Sequence, residues 1–347
     1  MAIQLIHHSA NPDLAQFDLT PVPNPDGSSV QWQGTIQINP CWVAIAPGQV
    51  QISVRAANLQ LQISPVVEVV QVHRELPYLD ATRTATTHRW RIEPIAEGQI
   101  KQTVPLVTLA QPSERLKANL LVDFADFYIS DTQGLLPREI SPNRLAVLQR
   151  AIAKRLWQQS FKDSLSYVGT ELLPPPAPPM PLAISGLIQQ ILAAPSDSFT
   201  DLVALAKLDL SQDFAQANLL GVNLNEADLH GANLAGANLR GSELCDADLR
   251  EANLQGANLQ GADLSGALLE DAKLAGVNGY RASFALVNFA GADLTGANLQ
   301  ATNLSQTNWH GATVTGMRLG ENQGLSAAQQ SWLVGQGAIV PDTKSEH

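Results

Sequence analysis

Residues 227–267 read ADLHGANLAGANLRGSELCDADLREANLQGANLQGADLSGA. A leucine recurs every five residues, with a small residue two positions before it, mostly Ala (Ala227, Ala232, Ala237, Ala247), and usually Asn or Asp one before it (Asp228, Asn233, Asn238, Asp248). A period of five fits neither the 3.6 of an α-helix nor the 2 of a long strand. Followed outward, the pattern runs from Gln212 to Glu321 without insertion or deletion, 22 units over 110 residues, with centres from Phe214 and Leu219 to Val314 and Leu319. Two residues spaced by two point to the same side of an extended segment, so the centre and the small residue face inward together. Gly two positions after many centres, as at Gly231, Gly241 and Gly256, supplies a turn position without steric cost. Such a unit cannot bury its own apolar residues and must stack on its neighbours, which makes a solenoid.

These runs resemble the pentapeptide-repeat family, and the resemblance covers about a third of the chain. It implies a right-handed quadrilateral β-helix with four units per coil, hence about 5.5 coils from the 22 units. An open solenoid end exposes unpaired backbone, so both ends need covers. The tail resembles the helix that often follows such repeats, and Leu325, Trp332, Leu333 and Ile339 are expected to plug that end. At the other end Ser198, with Asp201 three residues on, starts a helix whose stripe of Phe199, Leu202, Val203 and Ala206 is expected to seal the first coil. Gly279 stands where a central Leu is usual, and Phe284 and Phe289 are expected to fill the space it leaves. Lys273 and Arg318 take the Asn/Asp position and His230 and His310 follow their centres; all four are expected to face out.

Upstream, residues 28–130 alternate apolar and polar side chains, as in Val30, Trp32, Ile36 and Ile38 against Gln31, Gln33, Thr35 and Gln37. Further strands are expected at 50–54, 59–63, 66–72, 89–92, 99–109 and 117–129, forming an antiparallel β-sandwich-like domain with helices. A helix is expected from Ser141 to Val168, with Pro142 in its first turn and Leu145, Leu148, Ile152 and Leu156 as its apolar stripe. Pro174 to Pro181, PPPAPPMP, reads as a stiff spacer. The expected organisation is therefore mainly β: a β-rich domain at 1–140, a basic amphipathic helix at 141–169, a Pro-rich linker at 170–182, short helices with the cap at 183–211, the repeats at 212–321 and a capping helix and tail at 322–347.

Composition narrows the chemistry. Only 18 of 347 residues are aromatic and the net charge is −11, which counts against a stacking platform for single-stranded nucleic acid and against direct nucleic-acid binding. Cys41 and Cys245 lie 204 residues apart, offering neither a disulfide framework nor a CxxC site, and a reducing, cytoplasmic compartment is expected. No signal sequence or transmembrane run is read in the chain. P-loop, GxSxG, HExxH and dinucleotide fingerprints are missing, the histidines lack metal-ligand spacing, and no cofactor is expected. Asp123, Asp126 and Asp131 group three carboxylates in DFADFYISD, read as edge charges protecting a strand. Residues 73–101 carry near-balanced charge and read as an exposed loop.

Charge on the repeats is sided. Residues 212–321 hold 12 acids and 5 bases. With every fourth unit on one face, Glu226, Glu243, Asp246 and Asp263 share a side, and Asp228, Asp248, Glu251, Glu270 and Asp271 share the next with only Arg250 against them. The helix from Ser141 offers the complement in Arg144, Arg150, Lys154, Arg155 and Lys162. Such a helix can lie on a membrane surface or meet an acidic partner, but it is expected first to pack its apolar stripe on its own domain, with docking on those acidic faces as a further hypothesis. The leading reading is a non-catalytic interaction or assembly scaffold presenting acidic faces to a protein partner, itself basic, with self-association left open. One alternative is an enzyme or small-ligand binder with its site in the N-terminal domain. Another, implied by the resemblance, is a DNA-mimicking modulator of a type II topoisomerase.

Overall fold

The computed structural model describes residues 6–9, 14–23, 25, 29–45, 48–63, 69–72, 87–92, 100–109, 116–137, 139–161, 166–169 and 184–340. Two compact units emerge, one of Met1–Leu136 with Ile152–Ser185 and one of Pro137–Ala151 with Gly186–His347.

The first unit contains β1 (Ile6–Ser9), β2 (Ala15–Pro23), β3 (Val30–Ile38), β4 (Cys41–Ile45), β5 (Gly48–Val54), β6 (Ala57–Ile63), β7 (Val69–Val72), β8 (Thr87–Ile92), β9 (Ile100–Leu109), β10 (Leu116–Leu121), β11 (Phe127–Gln133) and β12 (Ser166–Gly169). Every pairing is antiparallel. Among the described residues the sheets run β1-β12-β10-β6-β8, β11-β5-β4 and β2-β3-β9-β7. Trp32, Ile36 and Ile38 of β3 and Val50, Ile52 and Val54 of β5 are fully buried, so the period-two pattern sorts core from surface. Strand β2 lies upstream of the strands expected from sequence, and Pro21 and Pro23 lie in it. It is an edge strand, where proline is tolerated.

Two elements differ from expectation. The strand expected over 117–129 is broken by a 3-10 turn at Phe124–Asp126, which separates β10 from β11. The helix expected to reach Val168 is α1 (Pro142–Leu156), followed by a π-helical turn at Trp157–Phe161, and Ser166–Gly169 pairs as strand β12 with both β1 and β10. Two neighbouring strands satisfy both edges of this Ser-Tyr-Val-Gly run, and that outweighs continuing the helix. Helix α1 buries Leu148, Ile152 and Leu156 of the expected stripe. The Pro-rich spacer, Lys162, most of 73–101 and the tail from 341 lie outside the described residues.

In the second unit, parallel bridges join the residue before a centre to the one twenty places on, from Asn218↔Asn238 to Asn303↔Gln323, so one coil is four five-residue units. Between coils the amide of a centre donates upward, as Leu219 to the Asn238 carbonyl at 2.8 Å, and the Asn238 amide donates back to the Ala217 carbonyl at 2.9 Å. Centres and the small residues two before them form the buried interior, including Leu219, Leu239, Ala237 and Ala257. The residue two after each centre is left-handed, as at Gly221 with φ 63°, and closes a turn through the Val222 amide on the Leu219 carbonyl. The Asn or Asp before each centre has a local task as well as facing out: its side-chain oxygen accepts the amide two residues on, as His230 to Asp228 Oδ1 at 3.2 Å. Lys273 and Arg318 cannot do this.

At Gly279 the space is taken by Phe284, as expected, and by Leu299, which was not expected: a Cβ there would lie 2.9 Å from Leu299 Cδ2 and 3.1 Å from Phe284 Cε2. Phe289 continues the cluster, 5.6 Å from the Phe284 ring and stacked at 4.7 Å on Trp309.

Helices α2 (Ile184–Leu192) and α3 (Phe199–Leu205) precede the repeats, and α4 (Ala327–Gly335) follows them. Ser198 caps α3 by accepting the Asp201 amide, and Phe199 packs on Phe214, centre of the first unit, at 5.3 Å. At the far end Leu333 is buried, whereas Trp332 and Ile339 are about half exposed and Leu325 is intermediate. The plug is therefore one leucine, not four apolar residues; Ile339 serves through its backbone, bridging to Arg318. Among the described residues no helix is long and apolar enough to cross a membrane.

Candidate interaction surface

The ladder assigns each acidic residue to a column. Asn223, Glu243, Asp263, Ser283 and Asn303 stack on one side, and Asp228, Asp248, Leu268, Asn288 and Asn308 on the next. Glu226 and Asp246 stand two residues after the centres of the first side, Glu251 and Asp271 two after those of the second, and Glu270 follows Leu269. The expected grouping of all nine carboxylates on two adjacent sides thus follows from the twenty-residue register.

Their local roles separate. Asp228, Asp248 and Asp263 accept the amides of His230, Arg250 and Ser265, so part of their purpose is to hold the turn. Glu243 accepts from the side-chain amides of Asn223 and Asn225 at 2.9 and 3.2 Å. Glu226, Asp246, Glu251 and Asp271 are left-handed, with φ of 58°, 55°, 58° and 56°, at corners where most units place glycine. All four are exposed, and the Asp246 and Asp271 carboxylates lie along the column over the glycine corners one coil on, Gly266 and Gly291.

Electrostatics follow this placement. Arg250 forks onto Asp248, which holds the Asp248 carboxyl below its usual range and raises the guanidinium further. Burial alone would raise the carboxyl of Asp263, but hydrogen bonds from the Ser265 hydroxyl and amide and from Cys245 outweigh it, and the net shift is downward. Burial first, and then Asp263, Asp246 and Glu243, push the Cys245 thiol up. A thiol in this setting stays protonated and is a poor nucleophile.

The basic helix contributes differently from expectation. Arg150 is buried and donates to the carbonyls of Asp213 and Ala215, and Arg144 donates to the Ala194 carbonyl at 2.8 Å and pairs with Asp197 at 3.3 Å. Arg150 thus meets the start of the column and Arg144 the segment between α2 and α3, and neither of these contacts is with the acidic sides. Lys154 and Arg155, one turn further on, fall in the first unit. Asn143, not singled out from the sequence, is buried beside them: its Nδ2 donates to the Asp197 and Asn223 carbonyls at 2.8 and 2.9 Å, and its Oδ1 accepts the Asn223 amide at 2.8 Å. The available signal was spacing, since 143, 147 and 150 share the helix face that buries Val147. A cavity of about 350 Å³ lies beside Asn143, lined also by Asp197, Thr200, Asn225 and Glu226.

In the first unit the three grouped carboxylates occupy different environments. Asp126 is buried while Asp123 and Asp131 are exposed, so Asp126 is not an edge charge. Its carbonyl accepts the Arg55 amide at 2.8 Å, and the Arg55 guanidinium lies 4.1 Å from the centre of the Tyr128 ring. Burial lowers the Arg55 pKa, and Tyr128 and Asp126 oppose that shift. Among the described residues no cluster of three or more His, Cys, Asp or Glu could hold a metal ion.

Residues 213–244, 227–266, 262–300 and 292–316 match the family model for pentapeptide repeats. The C-terminal region is a pentapeptide-repeat domain. Solved structures similar to this domain include a pentapeptide repeat protein from the cyanobacterium Cyanothece 51142, 28% identical over 30% of this chain and 86% of that one, with a TM-score of 0.30. A pentapeptide repeat protein from the Arabidopsis thaliana thylakoid lumen is 29% identical over 35% of this chain and 85% of its own, with a TM-score of 0.32. HetL from Nostoc sp. strain PCC 7120, involved in heterocyst differentiation regulation, is 34% identical over 31% of this chain and 53% of its own, with a TM-score of 0.22. The N-terminal half has no family match. No curated protein matches the chain.

Proposed function

We propose that the pentapeptide-repeat domain is a non-catalytic interaction scaffold whose two adjacent acidic sides receive a basic protein partner. The observation that carries this is the placement of nine carboxylates against one guanidinium on those sides, several at left-handed corners where glycine would be easier to accommodate. A rigid, sided negative field steers and orients a positive partner more than it adds raw affinity. The cytoplasm, where thiols such as Cys41 and Cys245 stay reduced, is the proposed setting.

The test is affinity capture with mass spectrometry, using the full chain beside Glu243→Gln/Asp246→Asn/Asp248→Asn/Glu251→Gln. Asn at 248 keeps the turn-forming acceptor, so the neutralised chain should remain folded. A defined partner retained by the first, lost from the second and released by raised salt supports the scaffold. Partners that survive neutralisation would move the interaction to the N-terminal unit.

A further inference from the structure

Two leucines in the repeat domain break local rules without an internal gain. Leu286 stands at a corner with φ 62°, and its side chain is 59% exposed. A bulky L-residue in that region is strained, and glycine would not be. Leu268 takes the position where Asn or Asp accepts the amide two residues on, so it forgoes that bond, and it is 37% exposed. Neither side chain recovers through burial what the backbone loses. Strained or locally inconsistent positions that persist without compensation are where function is to be sought.

Their positions converge. Leu268 bridges to Asn288, and Leu286 precedes Asn288 by two residues, so the leucines flank one edge between the two acidic sides. The corner column reads Glu226, Asp246, Gly266, Leu286 from one coil to the next. Three coil steps separate Glu226 from Leu286, about 14 Å, the reach of about four extended residues. Around the leucines the surface is carboxylate: Asp263 and Asp271 stand in the coil of Leu268 and Asp246 one coil below, while Glu270, also in the coil of Leu268, already accepts from Asn288.

We infer that Leu268 and Leu286 form an apolar anchor site, and that its occupant is a partner's polypeptide segment in which an apolar side chain lies about four residues from a group of lysines or arginines. This rests on the reading of the acidic sides as a docking surface and assigns its register. Charge decides the occupant. A second copy of a chain with net charge −11 would set carboxylates against carboxylates, whereas a basic segment satisfies them and buries the leucines together. Apolar centres inside polar rims are the usual anatomy of such contacts.

The experiment selects dodecapeptides from a random display library on the full chain, then measures the winners by fluorescence anisotropy at 50 and 300 mM salt. The comparison variants are Leu268→Asn/Leu286→Gly, which restores the residue types the repeat prefers and should fold, and Glu226→Gln/Asp246→Asn. The expected winners carry basic residues and a Leu, Ile, Phe or Met about four residues away. Their affinity should fall at least tenfold in the leucine variant with an unchanged salt dependence, and the salt dependence should weaken in the carboxylate variant. Binding to the leucine variant within twofold of the natural chain overturns the anchor while leaving the acidic surface in place. Winners without basic residues, bound equally at both salt concentrations, overturn the acidic-surface reading itself. If ultracentrifugation shows that the leucine variant dissociates an oligomer of the natural chain, the occupant is a second copy and the proposal fails.

Discussion

The two ends of the pentapeptide-repeat column face the same physical problem and meet it with opposite materials. Within the column every coil accepts from the one before and donates back, so the first coil lacks a donor and an acceptor beneath it. There Arg150 donates to the Asp213 and Ala215 carbonyls, the places a lower coil's amides would take, and the Asn143 side-chain amide gives Asn223 both a donor and an acceptor, as a peptide group would. These residues come from 63 to 80 positions away in sequence. The last coil is instead closed by the chain that follows it, through the Ile339 backbone and the buried Leu333. A solenoid end can thus be capped by side chains that imitate a coil or by continuing the coil itself, and the two should fail differently.

Arg150→Ala should be the most damaging change, about 3 kcal/mol or more, because two buried carbonyls lose a charged donor and a cavity opens. Hydrogen exchange of the first coil, residues 212–231, should rise more than that of the last. Equal protection at both ends would break the contrast. Leu333→Ala is expected to cost about 2–4 kcal/mol by leaving a void. Its effect should be confined to 303–340, since stability in a stacked array passes mainly between neighbours. Ser326→Ala removes one hydroxyl from the capping box that Ser326 and Gln329 form at the start of α4. A loss of about 1 kcal/mol in urea unfolding is the expected size, and a loss as large as that of Leu333→Ala would mean the helix start, not the plug, holds the end.

The same contrast explains what could be read from sequence. The column was legible because each unit states its own geometry: Leu234 faces in, Asn233 holds the turn, Gly236 makes the corner. The α3 cap was legible because Ser198 and Phe199 act next to the coil they cover. Asn143 was not, because a polar residue on a helix reads as solvated until its distant partner is known, and Arg150 was singled out as a cation for the acidic sides although its partners are backbone carbonyls of the first coil. Strand β12 was hidden for the same reason, since nothing in Ser166–Gly169 announces that β1 and β10 will stand on either side. The acidic sides required only counting by twenty, whereas the division of their carboxylates into turn-holding and outward groups needed the hydrogen bonds.

That division sets the smallest and most discriminating expectation. Glu251 stands at a left-handed corner with Asp271 at the corner one coil on, and the corner one coil before is Gly231. Left-handed backbone costs an L-residue about 1–2 kcal/mol, and glycine gives back about half of that through the greater freedom of its unfolded chain. Glu251→Gly should therefore stabilise the column by about 0.5–1 kcal/mol in urea unfolding, helped by the removal of one like charge. If the same substitution weakens capture of a basic partner, the corner carboxylate is held against a folding preference and the sides are a working surface. If stability rises and binding does not change, Glu251 is surface without a task, and the acidic surface shrinks to the residues that also hold turns.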